Sequence, residues 1–460
     1  MAFALSLAHL LGPGGQAILA AQRAGLAFLD SRSTEELLLL VGQRVPDIPA
    51  FTPIDKRTFQ DSYRGSQTGP SDDLLVGRGL FYITEQGRLC LDCTAGHYQM
   101  TWGYSPPALV AAAQEAVEAG IVWDNHSNIP QTPVKRLAQR LLELANPPGE
   151  RDPIDTVLLG VCTGSVACSS ALKMQLVCYE RDRASLGAPV FVVLDGNYHG
   201  TDMIVQSLRG MWPQYVHNIE TVAVQPNDGG ELDSVFQRYG SRVAAFWAEP
   251  IMMNREVIPL RASYLQLARR WCDEVGAAMC IDEIQTGFWQ PEVFAYRSMG
   301  FTPDMVIAGK GMTAGFHPQS AVLYRGRYDV LEQYDAISTN GNAALACTVA
   351  LACIEMIHNA APRIVGVGDR IMSGMNGLAS EFSDILADAR GKRHMAGLKF
   401  RRVEDALSFH RRAVAAGLWV RAHAYHAGHS TVLTKLALPA DERIVDFVIH
   451  RFRELLRGNP

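Results

Sequence analysis

The chain has 460 residues, of which 48% are hydrophobic and 19% charged, with 40 Gly and 23 Pro. This is ordinary globular composition; it excludes a disordered polymer, a collagen and a charged solvating chain. The formal net charge of −5 leaves no basic footprint for nucleic acid and no polybasic stripe for a membrane surface.

The N-terminus, "MAFALSLAHLLGPGGQAILAAQ", is apolar but lacks a basic leader region, and no stretch of the chain approaches ~18 consecutive apolar residues. A cytoplasmic protein with no membrane partner is expected. Residues 1–60 read as a helical extension of short amphipathic helices, one of them "STEELLLLVGQ" with Ser33 or Thr34 as its cap. The nine cysteines are scattered and mostly flanked by apolar residues, as reduced core thiols of an intracellular protein are. Cys90 and Cys93 form a CxxC, but no second pair lies at zinc spacing. They fall in a strand-like run and read as core, so no metal site is expected.

Between about 150 and 330, short apolar runs alternate with amphipathic helical patterns. The strand candidates are 157–161, 189–195, 220–225, 243–249, 278–283, 304–309 and 320–325. Fully apolar strands separated by helices imply a seven-stranded, mostly parallel sheet covered on both faces. The expected architecture is α/β: a large domain over 106–335 and a small α+β domain built from 61–105 and 336–460.

In open α/β sheets ligands bind beyond the carboxyl ends of the strands. The first strand candidate runs into "CTGSVACSSALK", where Thr163, Gly164 and Ser165 open a helix whose free N–H groups suit a phosphate. The second ends at "DGNYHG", which offers Tyr198 as a ring to stack on a flat ligand. The fifth ends at Asp282, a carboxylate that needs a cationic or proton-donating partner at the end of an apolar strand. The sixth ends at "VIAGKG", where Lys310 is a nucleophilic amine able to form a Schiff base. Each feature alone is commonplace: a turn, a surface aromatic, a structural carboxylate, a surface lysine. In this order at one sheet edge, they describe a site for a phosphorylated, planar aldehyde with a protonatable ring, and pyridoxal 5′-phosphate fits.

These segments resemble the class III aminotransferases, pyridoxal-phosphate enzymes of fold type I, over roughly residues 75–457. The most specific motif is "DEIQTGF" (282–288), followed by "PDMVIAGKGMTAGFHPQSAVL" (303–323), with "NYHG", "WAEPIM", "STNGNAALAC" and "RGKRHMAGLKF" also matching. The resemblance implies that Lys310 carries the cofactor as a Schiff base and then moves the proton. It also implies that Asp282 holds the ring nitrogen protonated, Gln285 meets the ring hydroxyl and Tyr198 stacks on the ring. Thr163, Gly164 and Ser165 would hold the phosphate. Thr339 matches a threonine that reaches the phosphate of the neighbouring subunit, which implies a homodimer with shared active sites. Tyr98 and Trp102 fall where the substrate pocket is lined. The reaction implied is transfer of an amino group between an amine or ω-amino or non-standard amino acid and a keto acid. Racemase, epimerase or aminomutase chemistry on the same fold is the alternative, and a non-catalytic member of the fold a lesser one.

The chain departs from the family pattern in several places. The cradle has Cys162, Val166, Cys168 and Ser169 where polar or acidic residues are usual. Bulky Trp289 follows the "DEIQTGF" motif and is expected beside the entrance. The C-terminal run "HSTVLTKLALPADE" lacks the usual arginine, with Thr431 in its place and Lys435 nearby. Glu249, expected to contact cofactor and substrate, is therefore read as a carboxylate without its arginine, and Arg421 as the alternative cation for a substrate carboxylate.

Overall fold

The structure, a computed structural model, describes residues 6–56, 59, 68–69, 72–122, 129–333, 335–339, 341–424 and 426–458. The chain divides into two compact units. One contains the described residues up to His97, Trp102–Pro106 and the chain from Gly366 on; the other contains Tyr98–Thr101 and Pro107–Val365. The residues read as a helical extension therefore fall within the first unit, and 336–365 within the second.

The second unit is built on a seven-stranded sheet. Its strands are β1 (Thr156–Val161), β2 (Val190–Leu194), β3 (Glu220–Val224), β4 (Val243–Ala248), β5 (Ala278–Asp282), β6 (Met305–Ala308) and β7 (Ser320–Tyr324). All seven sequence candidates form, within two residues at each end. The order across the sheet is β1-β7-β6-β5-β4-β2-β3. Six strands run the same way; β7 is antiparallel to both its neighbours, β6 and β1. Every residue of β2, β4, β5, β6 and β7 is buried. This is why these strands read as unbroken apolar runs rather than as alternating ones.

Helix α1 (Gly164–Arg183) packs against β6 and β7, and α2 (Ala262–Val275) against β4 and β5. Cys168, Ala171 and Leu172 of α1 join Phe191, Trp247, Cys280, Ile307 and Val322 in one apolar cluster. Removing such side chains from water contributes roughly 1.5–3 kcal/mol each. Helix α3 (Ala344–Asn359) also belongs to this unit and packs on the helix Thr132–Ala145.

At the other edge of the sheet, Asp304 is fully buried just before β6. Its Oδ2 accepts from Arg269 (2.6 Å) and from Met279 N–H (2.7 Å), and its Oδ1 accepts from Arg325 (2.9 Å) and from Arg327. This hub staples the starts of β5 and β6 and the end of β7, opposite the edge where the site lies.

The first unit carries two small sheets. One orders the strands Leu74–Arg78, Phe81–Thr84, Leu89–Asp92 and Leu418–Trp419; the other orders Leu386–Lys392, Met395–Phe400, Thr431–Lys435 and Arg421–His423. Ser33 caps the helix Thr34–Leu40 in a capping box with Glu36, and Asp441 caps the closing helix Glu442–Arg457. All nine cysteines are free thiols, seven of them buried, Cys90 and Cys93 among these. Among the described residues no single helix is long and apolar enough to cross a membrane, and no cluster of His, Cys, Asp and Glu is able to hold a metal ion.

Candidate active site

Because the strands run parallel, the residues that follow β1, β2, β4, β5 and β6 emerge at one edge of the sheet. One cavity there is lined by Thr163, Gly164, Ser165, Tyr198, His199, Gly200, Asp282, Ile284, Gln285 and Lys310. The four features singled out along the sequence thus meet in one place.

The turn after β1 leads into α1 with Thr163 as N-cap, and the Thr163 side chain makes no capping bond. The first N–H to bond back into the helix is that of Ala167, to Thr163 C=O at 3.0 Å. The N–H groups of Gly164, Ser165 and Val166 therefore have no partner within the helix, and the helix dipole adds positive potential there. Ser165 Oγ accepts the N–H of Thr201 at 3.1 Å, which leaves its hydroxyl proton to donate. Gly164 packs closely on Ile284: a Cβ there would lie 2.6 Å from Ile284 Cδ1, so a side chain would displace the end of Ile284.

Asp282, at the end of β5, is 3% exposed. Its Oδ1 accepts Ile284 N–H at 2.9 Å; its Oδ2 accepts His199 Nδ1–H at 2.8 Å and lies 3.7 Å from Cys168 Sγ. A carboxylate offers about four lone-pair positions, so three are used and one, on Oδ1, remains. That vacancy fits a ring N–H. The imidazole of His199 is fixed from behind by an edge contact to Trp247 at 5.1 Å, while Trp247 Nε1 donates to Gln175.

Lys310 follows β6 after Gly309, where a Cβ would lie 2.8 Å from Ser320 Oγ. Its φ of +29° departs from the regions that side-chain-bearing residues favour. Tyr198 lies half-buried, with the Arg209 guanidinium 5.7 Å from its ring centroid. Its backbone N–H donates to Glu249 Oε1 at 2.9 Å, and Gln285 Nε2 donates to Glu249 Oε2 at 3.3 Å. Glu249 is 2% exposed, and burial pushes its carboxyl up to about 7. It is therefore not an unpartnered carboxylate; it ties the Tyr198 turn to Gln285 behind the cavity.

Other residues sit differently from expectation. Trp289 is 1% exposed, and its Nε1 would lie 3.2 Å from a Cβ on Gly311, so it packs behind the lysine turn rather than at an entrance. Tyr98, Trp102, Thr339 and Glu249 are not among the residues that line the cavity. Tyr98 and Trp102 are buried, whereas Thr339 is exposed, beside Ser338 whose N–H donates to Gly160. Tyr98 closes a left-handed turn in which Ala95, Gly96, His97 and Tyr98 have φ of +49°, +56°, +65° and +72°. Asp92 anchors its start, accepting from Thr94 N–H and Oγ1, Gly96 N–H and Tyr104 Oη. In the first unit Arg421 contacts His97, and Lys435 is fully buried.

Comparison with known proteins places this geometry. The family model described as aminotransferase class-III matches residues 73–435. An ornithine aminotransferase of Emericella nidulans is 33% identical over 221 residues, 44% of this chain and 48% of that protein. A glutamate-1-semialdehyde 2,1-aminomutase of Syntrophobacter fumaroxidans is 28% identical over 299 residues, 61% of this chain and 64% of that protein. The chain thus matches about half the length of the first and just under two thirds of the second. A transaminase from the marine bacterium Virgibacillus shares the fold with a TM-score of 0.75 at 19% identity, over 90% of this chain and 96% of that one.

A mostly parallel seven-stranded sheet of this order, with a lysine and a carboxylate at its carboxyl edge, is the large domain of a fold type I pyridoxal-phosphate protein. With the match spanning most of its length, the chain belongs to the class III aminotransferase family, whose cofactor is pyridoxal 5′-phosphate.

Proposed function

We propose that the chain is a working aminotransferase. It moves an amino group between an amine, or an ω-amino or non-standard amino acid, and a keto acid. The observation that carries this reading is the convergence of Lys310, Asp282 and the uncapped start of α1 on one cavity.

Pyridoxal 5′-phosphate, when bound, supplies the electron sink for the pair released as a substrate C–H bond breaks. The N–H groups of Gly164, Ser165 and Val166, with the Ser165 hydroxyl, hold its phosphate, and Thr163 closes that turn. Asp282 holds a proton on the ring nitrogen through its remaining acceptor position. Tyr198 covers the ring, and Gln285, oriented by Glu249, meets the ring hydroxyl. Lys310 Nζ would anchor the cofactor, and the same amine would take the proton from the amine-bearing carbon. The likeness to an ornithine aminotransferase supports an ω-amino substrate. We further propose a homodimer in which the exposed Thr339 serves the neighbouring subunit's phosphate site, and a cytosolic location, which the nine free thiols support.

The test is a half-reaction. Purified protein loaded with pyridoxal 5′-phosphate is mixed with an amine donor and no keto acid. Loss of the visible absorbance, restored by a keto acid, is expected, and Lys310→Ala should show neither the band nor turnover. A protein that interconverts isomers without losing the band is a racemase or aminomutase; one that turns over nothing is a non-catalytic member of the family.

A further inference from the structure

Asp282 is the group on which the proposed chemistry turns, so whatever sets its basicity sets the strength of its hold on a ring proton. Three donors reach it, and they are unequal. His199 and Ile284 give ordinary N–H bonds at 2.8 and 2.9 Å. The third is a thiol, 3.7 Å away, on the same oxygen as His199. Sulfur is a weak donor with a long reach. Cys168 is fully buried, in the second turn of α1, and burial together with the adjacent Asp282 carboxylate holds its thiol well above the usual range, so it keeps its proton. It is neither a nucleophile nor a redox centre in this state.

We propose that Cys168 is a positioning residue that acts on the cofactor through Asp282 by being a weak donor: its S–H bond to Asp282 Oδ2 fills that place beside His199 while drawing little charge from the carboxylate, which stays a strong acceptor for a ring N–H. A stronger donor at position 168 would make Asp282 a poorer acceptor and loosen its grip on the ring proton. An apolar residue there would leave the carboxylate at least as basic as it is now.

The inference rests on the assignment of Asp282 given above, and the experiment separates the two. Holoenzymes of the wild type, Cys168→Ser, Cys168→Ala and Asp282→Asn are dialysed, and their dissociation constants for pyridoxal 5′-phosphate are measured by absorbance. The expected order is Asp282→Asn weakest, then Cys168→Ser about three- to tenfold weaker than wild type, with Cys168→Ala equal to wild type or tighter. In Cys168→Ser the pH midpoint of the visible band moves upward and kcat falls, while KM for the amine donor is unchanged. If Asp282→Asn retains the cofactor like wild type, the Asp282 assignment itself falls. If Asp282→Asn loses it but both Cys168 variants match the wild type, or both lose affinity equally, position 168 is packing only and the inference is overturned.

Discussion

Gly200 rests directly on Ser165: with φ at +124°, a Cβ on Gly200 would lie 2.5 Å from Ser165 Oγ and 2.9 Å from its Cα. The turn after β2 is thereby pressed onto the first residues of α1. Gly200→Ala should be destabilising by roughly 1–3 kcal/mol, since both the backbone angle and the space forbid a side chain. It should also reduce pyridoxal-phosphate retention, because Ser165 must shift. A thermal unfolding midpoint and cofactor content equal to wild type would refute this.

Glu249→Ala is expected to loosen two parts of the site together. It removes the acceptor of both Tyr198 N–H and Gln285 Nε2. Cofactor dissociation should rise about tenfold, consistent with the loss of bonds to a charged group. Glu249→Gln, which keeps one acceptor, should lie between that variant and wild type. Equal affinities across the three would show that Glu249 does not support the ring contacts.

Stability should fall as pH rises from about 5 to 7, in part through Glu283. This carboxyl is fully buried, accepts from Thr286 Oγ1 and Tyr296 N–H, and is pushed up to about 7 by burial against a reference of 4.5. The folded chain thus keeps a proton that the unfolded chain has released between those values, so folding becomes less favourable across that window and changes no further above it. Glu283→Gln removes the titration and keeps one acceptor oxygen, for Tyr296 N–H, with its amide N–H group donating to Thr286 Oγ1 as a protonated carboxyl would. Its unfolding free energy should gain on wild type by up to about 3 kcal/mol between pH 5 and 8. Glu249, shifted the same way, leaves the variant a residual slope. Parallel profiles for the two proteins would contradict this account.

Asp304→Ala should unfold much of the sheet's other edge. It takes the buried carboxylate from two nearly buried guanidinium groups, leaving Arg269 only the exposed Asp273 and Arg325 only the exposed Asp152, and leaves Met279 N–H unpaired. Breaking a buried ion pair from one side costs about 3–5 kcal/mol. Chemical denaturation should show this loss. A cost under ~1 kcal/mol would mean that solvent replaces the carboxylate.

Much of this arrangement was legible in the chain itself. The seven strands announced themselves because buried strands must be apolar throughout, and Lys310, Asp282, Tyr198 and the 163–165 turn follow them at one edge. The apolar context of Asp282 already demanded a partner. The partner, His199, sits next to Tyr198, but only the folded turn shows its imidazole aimed at the carboxylate. Cys168 gave no signal as a donor, since a cysteine in a helical pattern reads as core. The reversal of β7 was hidden because an apolar strand looks alike in either direction. Glu249 and Trp289 were misplaced for a related reason: pattern tells that a residue follows a strand, not whether its side chain turns inward. The left-handed turn at Ala95–Tyr98 has one glycine in four and no periodicity to betray it.

The backward course of β7 has a mechanical consequence for Lys310. Ala308 and Ala321 are paired neighbours on adjoining strands, so the twelve positions 309–320 form a stirrup whose two ends are stitched side by side. The Lys310 amine hangs from a loop held by the sheet at both of its ends. Its reach is that of its own four methylenes, and substrates must be brought to it.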